Sequence, residues 1–427
     1  MATTPDVPKK RSRLAIVLAV IVLLALVGFV VDRRTRPRLI AGPMVQIPER
    51  GALAITWEAE AFFGGGAVRL KYCADGHLVH AQAERTGNRY TAEVKGDAPG
   101  TTYEYEVLNG GFLGREFVLA GPYQTSGAPP RGKPFRFLAF GDSGTGDNSQ
   151  ADLGEVMAQA KPDLVIHTGD LVYPVGSPAD YLRNFFEPYA TILRSAPFMP
   201  VLGNHDCVTG RGQPLLDTFV LPGNAPTTNV PASTKPLDLT GRFYWFDYGD
   251  ARFVALDSNK AGGEQGSVLT PEEMKTIVAP WLRQVLTGGD AKWKFVYYHH
   301  PFYTGAKHSA SGVAYLKEAY VDVFEQCGVD MVFCGHNHLY ERTAPIRADQ
   351  VVPDGAGVVY ITTGAGGGAR YAEELPPPAY MRAWRDEIFS FTQIDVTANR
   401  LELRQIGEDG KAFDEYVIVK GAATTQP

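Results

Sequence analysis

Four cysteines in 427 residues are too few for a disulfide scaffold. No two of Cys73, Cys207, Cys327 and Cys334 form a C-x-x-C pair, so a thiolate zinc site of ordinary spacing is excluded. They read as small buried apolar residues; a bridge between Cys327 and Cys334 would require an oxidising compartment. There is no internal repeat and no long low-complexity tract, which excludes collagen-like chains. Charged residues are only 21% of the chain against 44% hydrophobic, which excludes a mostly disordered protein. A single long apolar run excludes a polytopic membrane protein. Positive charge is also scarce. The net charge of −6 argues against a nucleic-acid partner. That average hides a split. Residues 1–38 hold eight Lys and Arg against Asp6 and Asp32, so they carry +6 and the remaining 389 residues carry −12.

The apolar run is residues 14–31, LAIVLAVIVLLALVGFVV, without one charge. As a helix it spans about 27 Å, close to one bilayer core. It is apolar on every face and fenced by basic residues at both ends, unlike a buried core helix. A cleaved signal peptide wants small residues in an A-x-A-like pattern. Here Gly28-Phe29-Val30-Val31 runs straight into Asp32. An anchor is therefore expected, with a cleaved signal peptide as the alternative. A large downstream body translocates largely regardless of flanking charge. The expected location is thus membrane-anchored, with the body outside the cytoplasm, periplasmic or extracellular.

The rest divides in two. Residues 39–126 are strand-like: ALAITW (52–57), AVRLKY (67–72), RYTAEV (89–94) and TYEYEV (102–107) are separated by Gly and Asp-Gly turns. PGTTYEYEV (99–107) resembles the fibronectin type III pattern, with Tyr103 as its corner tyrosine. The Pro/Gly-rich stretch GAPPRGKP (127–134) is the expected linker. From 135 to 427 short apolar runs alternate with helical patterns, the mark of an α/β layered domain. Helices are expected over about 151–160, 179–193, 271–286 and 313–327.

The chemistry follows the apolar runs. FRFLAF leads to Gly141-Asp142-Ser143-Gly144, and DLVIHT to Gly169-Asp170-Leu171-Val172-Tyr173. FMPVL leads to Gly203-Asn204-His205-Asp206, KFVYY to His299-His300, and DMVFC to Gly335-His336-Asn337-His338. Sites in α/β sheets lie at the carboxyl ends of strands. Five of the nine histidines fall in these clusters. Buried together without a partner, such groups would cost roughly 1–3 kcal/mol each, so a metal site is expected. Asp, Asn and His without thiolate suit Fe, Mn, Zn or Mg. The set is too large for one tetrahedral ion and suits two ions about 3.5–4 Å apart that share a carboxylate. Tyr173 fits either as a phenolate on a strongly acidic cation such as Fe(III) or as a packing aromatic.

Taken in order, GDSG, GDLVY, GNHD, VYYH and GHNH resemble the purple acid phosphatases, a branch of the calcineurin-like metallophosphoesterases. The front part resembles the N-terminal domain of the plant-type members. The resemblance implies an α/β (four-layer, α+β) metallophosphoesterase sandwich over 135–427. An all-β fibronectin III-like domain (39–126) and an N-terminal transmembrane helix would precede it. It implies that Asp142, Tyr173 and His338 hold Fe(III), and that Asp170 bridges to a second divalent metal (Fe, Zn or Mn). Asn204, His299 and His336 complete the second site. His205 would contact the phosphate, and His308 would protonate the leaving group. Asp206 is expected to orient His205, and His300 either faces the cleft or packs. The implied activity is hydrolysis of phosphate monoesters by in-line attack of a metal-bound hydroxide, favoured in acid.

Two other functions fit part of the pattern. One is a metallophosphodiesterase of the same superfamily; the alkaline phosphodiesterases carry a Cys near the first Asp, and none lies near Asp142. The other is a non-catalytic surface binding protein with an inert phosphatase-like body. Intact candidate ligands in every block count against it.

Overall fold

The computed structural model describes residues 10–96, 98–227, 238–306, 313–370 and 377–421. The described residues open with a helix, Lys10–Arg34, whose apolar side chains are exposed from Leu14 to Val30. Its segment Leu14–Arg34 has a mean hydropathy of 3.4 and is long and apolar enough to cross a membrane; a signal sequence has the same character.

Seven antiparallel strands follow: β1 (Arg38–Gln46), β2 (Ala52–Glu60), β3 (Gly66–Tyr72), β4 (Leu78–Thr86), β5 (Arg89–Lys95), β6 (Thr102–Gly110) and β7 (Glu116–Ser126). Their order is β1-β2-β5-β4-β3-β6-β7. The β4–β5 pairing is short, Ala83 to Thr86 against Ala92 to Arg89. It hinges the two halves, β1-β2-β5 and β4-β3-β6-β7. Trp57 and Tyr90 stack in their core at 5.4 Å, and Trp57 Nε1 donates to Asn109 Oδ1 at 2.8 Å. Strands β1, β4 and β7 escape the sequence reading. β4 buries none of its nine residues, so it shows no apolar run.

Residues from 135 onward build two sheets. The first has order β10-β9-β8-β20-β21-β22, from β8 (Phe135–Phe140), β9 (Leu164–His167), β10 (Phe198–Pro200), β20 (Ser390–Val396), β21 (Arg400–Gly407) and β22 (Ala412–Val419). The second has order β11-β12-β13-β14-β18-β15-β19. Its members are β11 (Tyr244–Tyr248), β12 (Ala251–Ala255), β13 (Trp293–Tyr297), β14 (Met331–Cys334), β15 (Tyr340–Thr343), β18 (Val359–Thr363) and β19 (Met381–Arg385). A small hairpin, β16 (Ile346–Arg347) and β17 (Gln350–Val351), stands apart. β8, β9 and β10 are parallel, as are β12, β13, β14 and β18.

The continuous apolar runs have a simple cause. Alternate residues of a strand point to opposite faces, and here both faces are buried. Phe137 and Ala139 face the other sheet, while Leu138 and Phe140 pack on helices with Leu153 and Met157. In the second sheet Phe295 and Tyr297 point inward, and Val296 and Tyr298 meet Leu316, Tyr320 and Phe324. The result is four layers: helix, sheet, sheet, helix. The centre is aromatic, with Phe137 at 5.1 Å from Phe253, 5.2 Å from Phe295 and 5.7 Å from Phe333.

Three of the expected helices form as Asn148–Gln159, a run from Pro271 to Thr287 and Ala314–Gln326. Asp147 caps the first by accepting from Gln150 N at 3.0 Å. Thr270 and Glu273 form a capping box on the second. The helix expected over 179–193 is broken into Pro178–Asp180, Leu182–Phe186 and Ala190–Leu193. Pro188 lies in the second gap, where it supplies no N–H to continue the helix. The front sheet joins the layered part directly. Tyr105 donates to Arg194 O at 2.8 Å and Thr125 to Ser195 O at 2.9 Å. Ala41 and Met44 of β1 share a core with Ile192 and Leu193.

Phe137 is fully buried at the centre of the inter-sheet cluster. Phe137→Ala is expected to cost about 3–5 kcal/mol, read as a lower urea midpoint. An unchanged midpoint would show that the two sheets do not depend on this contact.

Candidate metal centre

Five loops converge at the carboxyl ends of β8, β9, β10, β13 and β14. Three of the polar residues they present stand in the left-handed region: Asp142 (φ 56°), Asp170 (φ 55°) and His336 (φ 69°). Non-glycine residues seldom adopt it. Glycines before and between them permit the approach. A Cβ on Gly203 would fall on the Asp170 carboxylate, and one on Gly335 on that of Asp142.

The seven candidate ligands come together in two overlapping sets. In the first, Tyr173 Oη lies 3.0 Å from His338 Nε2, 3.1 Å from Asp170 Oδ2 and 3.3 Å from Asp142 Oδ1. In the second, His299 Nε2 lies 2.9 Å from Asn204 Oδ1, 3.2 Å from His336 Nδ1 and 3.5 Å from Asp170 Oδ2. His336 Nδ1 is 3.0 Å from Asn204 Oδ1. Asp170 belongs to both. Donor atoms about 2.1 Å from one ion lie roughly 3.0–3.4 Å apart in octahedral or tetrahedral arrangements, and these spacings match.

The chemistry of the donors tests the fit independently. His299 Nδ1 donates to the carbonyl of Thr168 at 2.9 Å. Burial drives its pKa down to about 3, so the ring is neutral and Nε2 is a bare lone pair. That lone pair faces Asn204 Oδ1, itself an acceptor. His338 repeats the arrangement: Nδ1 donates to Ala369 O at 2.6 Å, and Nε2 faces Tyr173 and, at 3.6 Å, Asp142. A ring nitrogen tied to a carbonyl while the other points into a pocket of acceptors is the usual setting of a metal-binding histidine. The carboxylates agree. Burial first, then the charge of Asp170, holds the Asp142 carboxyl well above its usual range. Burial likewise raises Asp170. A bound cation reverses that preference.

Asp206 differs from its expected role. Its carboxylate accepts from Gly203 N (2.9 Å), Leu171 N (3.0 Å) and Val172 N (3.3 Å), clasping the β9 and β10 loops together. The His205 ring is set instead by Pro174 O, 2.7 Å from Nδ1, and stands edge-on to Tyr173 with centroids 4.8 Å apart. His300 faces the cleft. Its Nδ1 lies 2.9 Å from Ser258 Oγ and its ring 4.5 Å from that of His336. The cleft beside it, about 530 Å³, is also lined by Asn204, Lys260, Glu264, Tyr315 and His336. Spacing gives no sign of Ser258 or Lys260, which follow β12 without a motif. His167 was also missed; fully buried, it lies 3.0 Å from Ser143 Oγ and so props the first ligand loop. His308 lies outside the described residues. All four cysteines are free, so Cys327 and Cys334 are not bridged.

Protons compete with metal for Asp142 and Asp170, because burial favours their protonated forms. Metal uptake by chelator-stripped protein should therefore begin to fall, as pH is lowered, above the ordinary carboxyl range. His299 resists protonation and should not weaken binding near neutrality. Metal titration at a series of pH values reads this directly, and uptake that is flat with pH would contradict it.

Comparison with known proteins gives the same reading. Residues 135–340 match the family described as calcineurin-like phosphoesterase. Residues 357–415 match the iron/zinc purple acid phosphatase-like protein C family. An uncharacterised Mycobacterium tuberculosis protein is 24% identical over 325 residues, covering 65% of this chain and 58% of its own. This chain therefore spans somewhat over half the length of that relative. Purple acid phosphatase 21 of Arabidopsis thaliana is 26% identical over 330 residues, 71% of this chain and 69% of its own. The purple acid phosphatase from yellow lupin (Lupinus luteus) seeds shares the fold, with a TM-score of 0.69 at 18% identity over 90% of this chain and 74% of that one. The chain thus carries a calcineurin-like phosphoesterase domain followed by an iron/zinc purple acid phosphatase-like C-terminal domain.

Proposed function

We propose that this chain is a binuclear-metal acid phosphatase acting on phosphate monoesters. The observation that carries the reading is the division of seven donors into two sets that share Asp170. Asp142, Tyr173 and His338 would hold Fe(III), the cation best suited to a phenolate. Asn204, His299 and His336 would hold a divalent ion (Fe, Zn or Mn), in keeping with the iron/zinc description of the matched C-terminal family. Bound there, the two ions would activate a water and neutralise phosphoryl oxygens.

The chain's own residues supply the rest. Pro174 O can only accept, so Nδ1 of His205 carries a proton. Nε2 then donates to a phosphoryl oxygen only when it too carries a proton. The family resemblance assigns protonation of the departing alkoxide to His308. Asp206 keeps the ligand loops in register.

The same reading divides the chain into a leader (1–38), a fibronectin III-like sandwich (39–126), a linker (127–134) and a catalytic domain (135–427). The strand order of β1 to β7, in two halves joined by one short pairing, supports it. The basic-flanked helix supports an anchor with the catalytic body outside the cytoplasm.

The detergent-solubilised full chain should contain two metals and hydrolyse p-nitrophenyl phosphate in preference to its bis ester. It should also absorb in the visible through tyrosinate-to-iron charge transfer, a band lost in Tyr173→Phe. Preference for the diester would favour a phosphodiesterase; a colourless, metal-free, inactive protein would sink the proposal. His205→Ala should lower kcat/KM by about 10²-fold or more. His308→Ala should slow esters with poor leaving groups more than those with good ones, and equal losses would refute its role.

A further inference from the structure

The sandwich carries large apolar side chains at one end. Phe62 and Phe63, between β2 and β3, are 72% and 41% exposed, and Leu113, between β6 and β7, is 89% exposed. A single exposed leucine needs no explanation, but these residues sit on two adjoining loops. Gly110 N donates to Gly65 O at 2.9 Å. Gly64 and Gly110 pack so closely that a Cβ on either would clash with the other. The rings of Phe63 and Phe112 are 5.9 Å apart. Leu113 takes a left-handed φ of 58°, placing it at the tip of its loop.

The same end of the sandwich holds the foot of the N-terminal helix. Arg115 reaches Asp32 at 3.6 Å. The guanidinium groups of Arg36 and Arg115 each lie 5.0 Å from the Phe117 ring. The apolar part of the helix ends at Val31 after 18 residues, a rise of about 27 Å that accounts for one hydrocarbon core. A bilayer surface around this helix therefore falls near residues 31–34, at the level of the two loops. Arginines surround that level: Arg33, Arg34, Arg36, Arg38 and Arg115. Apolar side chains ringed by cations at one height form the pattern of an interfacial membrane contact.

We infer that the loops carrying Phe62, Phe63 and Leu113 dip into the lipid interface beside the helix, so that the sandwich is a second membrane contact fixing the body against the bilayer. The inference rests on the helix being an anchor. The occupant is a lipid surface with anionic headgroups; a second copy or a protein ligand would lack the continuity with the helix.

The test uses the full chain carrying Cys73→Ser, since Cys207, Cys327 and Cys334 are buried. One cysteine is then introduced as Phe62→Cys, Leu113→Cys, Leu78→Cys or Leu24→Cys and labelled with an environment-sensitive fluorophore. The protein is reconstituted into phosphatidylcholine/phosphatidylglycerol vesicles containing spin-labelled lipid. Leu78 is exposed at the opposite end of β3, where it pairs with Lys71, and serves as the water-exposed reference. Labels at 62 and 113 should shift to the blue and be quenched about threefold or more beyond the label at 78. Quenching at 24 but not at 62 and 113 would overturn the inference while leaving the anchor standing. No quenching at 24 would overturn the anchor itself.

Discussion

Two carboxylates, a neutral imidazole and an amide oxygen are confined where only a positive charge reconciles them. His299 Nε2 and Asn204 Oδ1 meet acceptor to acceptor at 2.9 Å. Asp142 and Asp170 are buried with Tyr173 between them. Burial of this kind raises carboxyl pKa values and lowers those of histidine, and the protein shows both effects. Much of the surrounding architecture makes this confinement possible. Parallel strands bring five loops to one edge, glycines let them touch, and three candidate ligands accept left-handed backbone. The fold thus stores unfavourable electrostatics at one point and supports them through the aromatic packing between its sheets.

How much of this was legible depends on where each signal resides. Strands buried on both faces write themselves as apolar runs, so FRFLAF and KFVYY stand out, and the ligand types follow at their ends. All seven candidate ligands were visible for that reason. Contacts made by main chain were not. The carbonyls of Thr168, Pro174 and Ala369 orient three histidines, and a backbone carbonyl leaves no mark on a sequence. The same blindness explains Asp206, adjacent to His205 in sequence but bonded to three backbone N–H groups, one in its own loop and two in the loop after β9. Strand β4 alternates exposed with half-buried residues and buries none fully, so it offers no continuous apolar run to read.

The front sheet is more than an appendage. Its β1 shares a core with the layered domain, and hydroxyls of β6 and β7 bond the carbonyls of Arg194 and Ser195. Its other end holds the foot of the helix through Asp32, Arg115 and Arg36. A continuous set of contacts therefore runs from the apolar helix to the layered domain. The split between a basic leader and an acidic body follows the same line. The arginines gather where the helix ends, and two of the acidic residues, Asp142 and Asp170, are buried instead of lying at the surface.

The pinning of His299 and His338 by backbone carbonyls has a consequence for anyone wishing to retune this centre. The tautomer of each ring is dictated by the path of the chain and not by a neighbouring side chain. Substitution of Thr168 or Ala369 leaves the carbonyl in place, so point mutation has little hold on ligand basicity there. Changing it means rerouting a loop, which makes the centre robust to sequence drift around it and resistant to redesign one residue at a time.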